Sequence, residues 1–105
     1  MHDAYLEGAQ MFYRVTKYSF EDERYDEILA WSETVRVSIE GIDGLQHVDV
    51  FRSAPGEGMI VAAYDSEAAF TAASETVTAV LGEMGQFMTS APQIDSGTVD
   101  QSFGR

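Results

Sequence analysis

The chain contains no cysteine and no long run of apolar residues. The first absence excludes disulfides, thiolate catalysis and cysteine-ligated metals. The second excludes a transmembrane helix, which needs roughly 18 consecutive apolar residues. The N-terminal residues also lack the basic start and apolar core of a signal peptide. We therefore expect a soluble cytoplasmic protein without a membrane partner.

Basic residues are scarce as well. Lysine occurs only at Lys17, and lysine and arginine together number 6 against 18 acidic residues, which gives a net charge of −12. Such a chain repels phosphate backbones and anionic lipid surfaces, so we expect no nucleic-acid partner. The excess of acid is typical of a solvated surface, and capture of a cationic partner is the alternative.

The length of 105 residues fits one domain of ordinary globular composition. We expect residues 1–9 to be a flexible lead-in and residues 10–105 to form a single domain. Strand composition is found at 10–20, 45–52, 59–64 and 97–103, and helical spacing of apolar residues at 21–40 and 66–84.

Turn and cap residues separate these segments. Gly41 and Gly44 favour the end of the first helix, because glycine accepts the left-handed conformation of a C-terminal cap. Asp65 or Ser66 is a suitable N-cap for the second helix. The proline and glycines of residues 53–58 predict a hairpin turn between two antiparallel strands.

The order of elements is therefore β-α-β-β-α-β. With right-handed crossovers it predicts an α+β, ferredoxin-like fold, in which a four-stranded antiparallel sheet carries two helices on one face. The strands are apolar on both sides, with Leu45 and Phe51 on one side of the second strand and Val48 and Val50 on the other. Because a large apolar sheet face is unstable in water, we expect a homodimer with the two sheets packed face to face.

Local phrases in this order resemble the dimeric α/β-barrel superfamily, which includes the antibiotic-biosynthesis monooxygenase-like proteins and the stress-responsive barrel proteins. The resemblance extends over residues 10–103 and is carried by turn and cap sequences. These are Gly41–Leu45, Val50–Ser53, Tyr64–Phe70, and the tail with Ala91–Pro92 and Gly97–Val99.

The resemblance implies a dimeric barrel and, among its activities, cofactor-independent oxygenation. The superfamily also holds haem-degrading enzymes, isomerases, decarboxylases and members of unknown role. Related oxygenases line a cavity with a few polar side chains, asparagine among them, and this chain has no asparagine. The chain therefore lacks one of the residue types that line the cavity of the related oxygenases.

The candidate catalytic residues are His47, Arg52 and Tyr64. His47 alternates with Leu45 and Phe51, so we expect its ring in the cavity between sheet and helices, as a base or hydrogen-bonding group. The alternative is a neutral structural histidine. A charge inside a strand is costly unless paired, so Arg52 either binds an anionic substrate or forms an ion pair.

The candidate substrate-binding residues are Tyr13, Trp31 and Arg14. Trp31 can stack on an aromatic substrate, and Tyr13 can offer its hydroxyl to a cavity. Arg14 can bind a carboxylate or an enolate. For each residue the alternative is structural, namely packing for the aromatic side chains and, for Arg14, an ion pair with Asp49 or Asp100 or across the dimer.

No histidine pair or carboxylate cluster has the spacing of a metal site, so we expect neither metal nor cofactor. Two functions remain open. One is a cofactor-independent monooxygenase-like enzyme that acts on a small apolar aromatic or polyketide-like molecule. The other is a non-catalytic, dimeric protein that binds a small apolar ligand or is associated with stress.

Overall fold

The computed structural model describes residues 10–104. The predicted lead-in, residues 1–9, lies outside this range. The strands are β1 (Phe12–Ser19), β2 (Leu45–Ala54), β3 (Glu57–Tyr64) and β4 (Gln93–Thr98), and the helices are α1 (Tyr25–Thr34), α2 (Arg36–Glu40), α3 (Glu67–Ala72) and α4 (Ser74–Met84). Single 3-10 turns at Asp22–Arg24 and Gly85–Phe87 precede α1 and follow α4. Within the described range, no helix combines the length and hydrophobicity that a bilayer crossing requires.

The strands form one antiparallel sheet in the order β2-β3-β1-β4. This order confirms the ferredoxin-like fold predicted from the sequence. The β2–β3 hairpin turns at Gly56, whose φ of 76° suits glycine. The carboxylate of Asp22 accepts a hydrogen bond of 2.9 Å from the backbone N–H of Gly56, which fixes the hairpin to the start of the helical layer.

Alternation along the strands separates two faces of the sheet. The face that packs against the helices, here the helix face, carries alternate residues of the two central strands: Phe12, Arg14, Thr16 and Tyr18 of β1, and Gly58, Ile60, Ala62 and Tyr64 of β3. The opposite face, here the open face, carries the residues between them: Tyr13, Val15 and Lys17 of β1, and Met59, Val61 and Ala63 of β3.

Strand β2 contains a bulge near its start. Leu45 lies opposite Tyr64, yet His47 lies opposite the next residue of β3, Ala63, so Gln46 is an extra residue on this strand. The side-chain amide of Gln46 donates a hydrogen bond to the carboxylate of Asp65. Because the period of a strand is two, the bulge puts Leu45 on the helix face and His47 on the open face.

Each helical segment predicted as one helix is broken in two. The first break is at Val35, whose φ of −104° and ψ of 4° leave the helical region. Just before it, the hydroxyls of Ser32 and Thr34 each donate a hydrogen bond of 2.6 Å to the carbonyl three residues earlier. Such bonds compete with the helix and bend it. The second break is at Ala73, between α3 and α4.

The last strand begins earlier than the sequence predicts. The pattern indicated a strand at 97–103, but β4 spans Gln93–Thr98. Its position follows from pairing with β1, in which Lys17 faces Gln93 and Phe12 faces Thr98. Beyond Thr98 one more backbone hydrogen bond, of 2.8 Å from Val99 N–H to the Met11 carbonyl, continues the pairing, and the described residues after it are not strand.

The core beneath the helices is divided into two clusters. One surrounds the hairpin end of the sheet: Tyr18, Phe20, Ile28, Met84 and Phe87. The other surrounds the opposite end: Phe12, Ala62, Tyr64 and Ala73. Side chains of both clusters meet around a space on the helix face, and that space is the candidate site.

Candidate functional site

A cavity of about 80 Å³ lies between the helix face and the helices. Its volume suits several water molecules or part of a small organic ligand. Aliphatic side chains make most of the wall. The polar and aromatic members are Arg14, Thr16, Trp31, Ser32 and Tyr64. An apolar chamber with a few convergent polar groups is the usual form of a small-molecule site.

Arg14 brings a charge into this wall. The residue is 8% exposed, and its Cζ lies 5.1 Å from the ring centroid of Tyr64 and 5.5 Å from that of Phe70. Burial lowers the pKa of Arg14 from its ordinary value. Among residues 10–104, no carboxylate forms an ion pair with its guanidinium. The predicted pairing with an aspartate of another strand, such as Asp100, is therefore not found in this range.

Tyr64 and Thr16 extend the polar part of the wall. Tyr64 is buried at the end of β3, where its ring meets Phe70 edge to face at 5.6 Å. Thr16 is also buried, two residues after Arg14 on the same strand. Thr16 was not among the residues predicted from the sequence, although alternation from Arg14 along β1 points to it.

Trp31 closes the cavity on the helical side. Its indole N–H donates a hydrogen bond of 3.3 Å to Glu83, and its ring centroid lies 6.0 Å from that of Phe87. The residue thereby connects α1 to α4 beside the cavity. It is the only tryptophan of the chain, so its fluorescence reports directly on this site.

His47 does not face the cavity, so the predicted orientation of its ring was wrong. The side chain lies on the open face, 53% exposed, with Nε2 3.7 Å from the Asp49 carboxylate. The reason is the bulge at Gln46, which separates His47 from Leu45. The sheet stands between its ring and the cavity, and His47 borders an outer groove beside β2.

Tyr13 and Arg52 also lie away from the cavity. Tyr13 is on the open face. Arg52 is on the helix face but is exposed, since it sits at the hairpin end and forms an ion pair of 3.2 Å with Asp22. Its guanidinium stacks 4.7 Å above the ring of Tyr25. The structure thus brings Arg14, Trp31 and Tyr64 together and separates the other three candidates.

The outer groove runs along the edge of β2 and adjoins the cavity. It has a volume of about 370 Å³ and shares Ser32, Leu45 and Val48 with the cavity wall. Arg36 lies on its helical rim and forms ion pairs of 2.8 Å with Glu33 and Glu40. Hydrogen bonds from Arg36 lower the pKa of Glu33. One guanidinium here faces two carboxylates, so the rim of the groove carries an excess of negative charge beside the apolar chamber.

No group of three metal-binding side chains is found among residues 10–104. Within the same range, the titratable residues that line the cavity are Arg14 and Tyr64. The wall offers a cation and hydroxyl groups, but no histidine or carboxylate among the described residues. The wall can bind and polarise an oxygen atom of a ligand. A proton released by that ligand has no histidine or carboxylate of the described wall to accept it.

Neither the protein-family models nor the curated proteins contain a match to this chain. Solved structures do match. A protein of unknown function from Nitrosomonas europaea superposes with a TM-score of 0.74 at 10% identity, over 93% of this chain and 97% of that one. A candidate antibiotic biosynthesis monooxygenase from Caulobacter crescentus gives a TM-score of 0.73 at 16% identity, over 89% and 92%.

The chain has the fold of these proteins. A further similar structure is an antibiotic biosynthesis monooxygenase, with a TM-score of 0.67, 13% identity, and coverage of 86% of this chain and 99% of that one. The structural resemblance read from the sequence is therefore confirmed over most of the chain. At these identities the likeness establishes the fold, and the reaction has to be argued from the site.

Proposed function

We propose that the protein is a cofactor-independent monooxygenase-like enzyme that takes a small, flat, apolar aromatic molecule into the cavity. The observation that supports this most is the apolar chamber with the buried guanidinium of Arg14 in its wall. Trp31 and Tyr64 provide aromatic surfaces on which a planar ring can pack. The similar structures named as monooxygenases add support at the level of fold.

In this proposal, Arg14 holds the oxygen of a bound phenol or enol. A cation against that oxygen favours its ionised form and stabilises the charge that develops there. The proton leaves to water, because the described wall offers no carboxylate or histidine. The ionised substrate then carries an electron-rich carbon.

That carbon combines with O₂ to form a carbon–oxygen bond. After protonation, the resulting hydroperoxide loses water and leaves a carbonyl group. One O₂ is consumed for each substrate molecule, one of its oxygen atoms enters the product, and the other leaves as water. The protein contributes the dry chamber, the orientation of the ring and the positive charge.

The second candidate is non-catalytic binding of a small apolar ligand. The absence of a basic side chain from the described wall favours it, and so does the position of His47 on the other face. Both candidates place the ligand in the same cavity and differ only in turnover. We also propose that two copies pair through the open face, which carries Val15, Met59 and Val61.

The deciding experiment measures binding and turnover separately. Anthrones and quinols are titrated against the fluorescence of Trp31, and oxygen consumption is followed with the same compounds. Ala62→Leu fills the cavity from β3, and Ala79→Leu on the exposed side of α4 is the matched control. We expect Ala62→Leu to lower kcat/KM at least about tenfold and Ala79→Leu to leave it unchanged.

Fluorescence changes without oxygen consumption would assign the protein to the second candidate. His47→Ala adds an independent check, because a residue across the sheet should not alter kcat. A large loss of kcat in that variant would contradict the cavity as the place of reaction.

A further inference from the structure

A second cavity lies on the other side of Arg14, between α4 and β4. Its volume is about 150 Å³, and it shares Arg14, Val77 and Leu81 with the main cavity. The side chains that belong to this cavity and not to the main one are Phe70, Ser74, Thr78 and Ile94. The two cavities thus adjoin at the wall that contains Arg14.

The guanidinium of Arg14 stands at this boundary. It lies against Tyr64, which lines the main cavity, and against Phe70, which lines the second cavity. The arginine side chain is more than nine-tenths buried and has no ion-pair partner among the described residues. Since arginine stays protonated, this positive charge favours an anion beside it.

Hydroxyl groups line the second cavity together with the charged Arg14. Ser74 and Thr78 are four residues apart on α4, so they lie on one face of the helix. Both line the cavity together with Arg14. A guanidinium donates two parallel N–H groups to a carboxylate, and a hydroxyl donates a further hydrogen bond to the same group.

We propose that the second cavity is a carboxylate-binding subsite, and that the ligand of this protein is an aromatic acid that extends past Arg14 from one cavity into the other. The ring occupies the main cavity and the carboxylate lies on the β4 side, between the guanidinium and the hydroxyls of α4. The inference rests on the proposed function in one respect, since it needs an aromatic ligand in the main cavity.

Two molecules of equal shape and different charge test this subsite. The full-length protein is titrated with 2-naphthoate and with 2-naphthamide, and Trp31 fluorescence gives both dissociation constants. We expect the acid to bind about tenfold or more tightly than the amide, as a charge-assisted hydrogen bond implies. Arg14→Met should abolish that preference, and Arg14→Lys should restore part of it.

Thr78→Val keeps the shape of the side chain and removes the hydroxyl, so it tests the subsite without touching the buried charge. We expect it to weaken 2-naphthoate about fivefold and to leave 2-naphthamide unchanged. Thr76→Val, on the same helix and outside both cavities, is the control and should change neither constant.

The outcomes separate this inference from the proposed function. If acid and amide bind equally well, the carboxylate subsite is refuted while the aromatic site in the main cavity stands. A preference that survives both Arg14→Met and Thr78→Val would also refute the subsite. If neither compound changes the fluorescence of Trp31, the ligand site in the main cavity falls and the subsite falls with it.

Discussion

The helix face and the open face carry similar kinds of residues on alternate positions of the same strands. On β1, Arg14 and Thr16 point to the helices, whereas Val15 and Lys17 point the other way. Each face therefore mixes apolar side chains with a cation. The cation under the helices is desolvated beside two aromatic rings, and Lys17 is exposed. Coverage by the helices, more than residue type, makes one face a candidate binding site and leaves the other as the surface of the proposed pairing.

The largest effect is expected where a charge is added to the open face. Val61→Glu places a carboxylate at the centre of the proposed contact between two sheets, and the symmetry of a dimer doubles it. An unpaired buried charge costs several kcal/mol, so we expect the dimer to dissociate. Light scattering measures the change, from twice the chain mass of 11.6 kDa to one chain mass.

The control for that change is Val37→Glu, because Val37 is 84% exposed on α2. It introduces the same side chain at a position that needs no desolvation, and the dimer should persist. A wild-type protein that already scatters as a single chain at micromolar concentration would end the pairing proposal.

Two strand glycines give the next largest effect, one on each face. A Cβ at Gly58 would overlap the ring of the buried Tyr18, whereas a Cβ at Gly97 meets no atom within 4 Å. Overpacking in a closed core costs about 3 kcal/mol when the neighbour cannot move. We expect Gly58→Ala to lower the free energy of unfolding by that amount in urea denaturation.

Gly97→Ala provides the comparison on the open face. We expect a change within about 0.5 kcal/mol, as for most unconstrained surface positions. Equal stability of the two variants would show that the helix face is less tightly packed at the hairpin end than the structure indicates.

The smallest effect concerns the hydroxyl of Tyr18, which is buried without a hydrogen-bond partner. Desolvation, followed by the charge of Tyr25, raises the pKa of Tyr18 to about 12 from 10. Tyr18→Phe removes the unpaired group, so we expect a gain of about 1 kcal/mol in the free energy of unfolding at pH 7.

The raised pKa of Tyr18 also predicts the direction in which the stability of the protein changes with pH. Above pH 10 the unfolded chain releases a proton that the folded protein retains at Tyr18, so stability falls as pH rises from 10 towards 12. Tyr18→Phe lacks this contribution and should lose less stability over that interval. Tyr13→Phe, which removes the hydroxyl of a tyrosine on the open face, is the matched control. Parallel curves for wild type and Tyr18→Phe would contradict the buried position of the hydroxyl.

Much of the fold follows from short-range patterns that the sequence displays. Ser66 was expected to begin the second helical segment, and its Oγ accepts a hydrogen bond of 3.1 Å from Ala69 N–H. The hairpin at 53–58 and the alternation of β2 from His47 to Arg52 were likewise predicted correctly. Caps, turns and alternation depend on neighbours within a few residues, so local reasoning reaches them.

The site was only partly predictable. Arg14, Trp31 and Tyr64 were selected by residue type and were found together, but His47 was assigned to the wrong face. One extra residue at Gln46 reverses the side on which the residues from His47 to Arg52 point. A bulge is set by pairing with β3 and by the contact of Gln46 with Asp65, and both arise only once the strands are assembled.

The sequence by itself determined the ferredoxin-like order of elements, the acidic surface and the absence of thiol chemistry. The tertiary structure decided which sheet face the helices cover, where they break, and that Arg14 stands between two cavities. The physical reason is the range of the interactions. A strand pattern defines two faces from adjacent residues, whereas burial of the Arg14 charge depends on the side chains of Tyr64 and Phe70, which are at least 50 positions away along the chain.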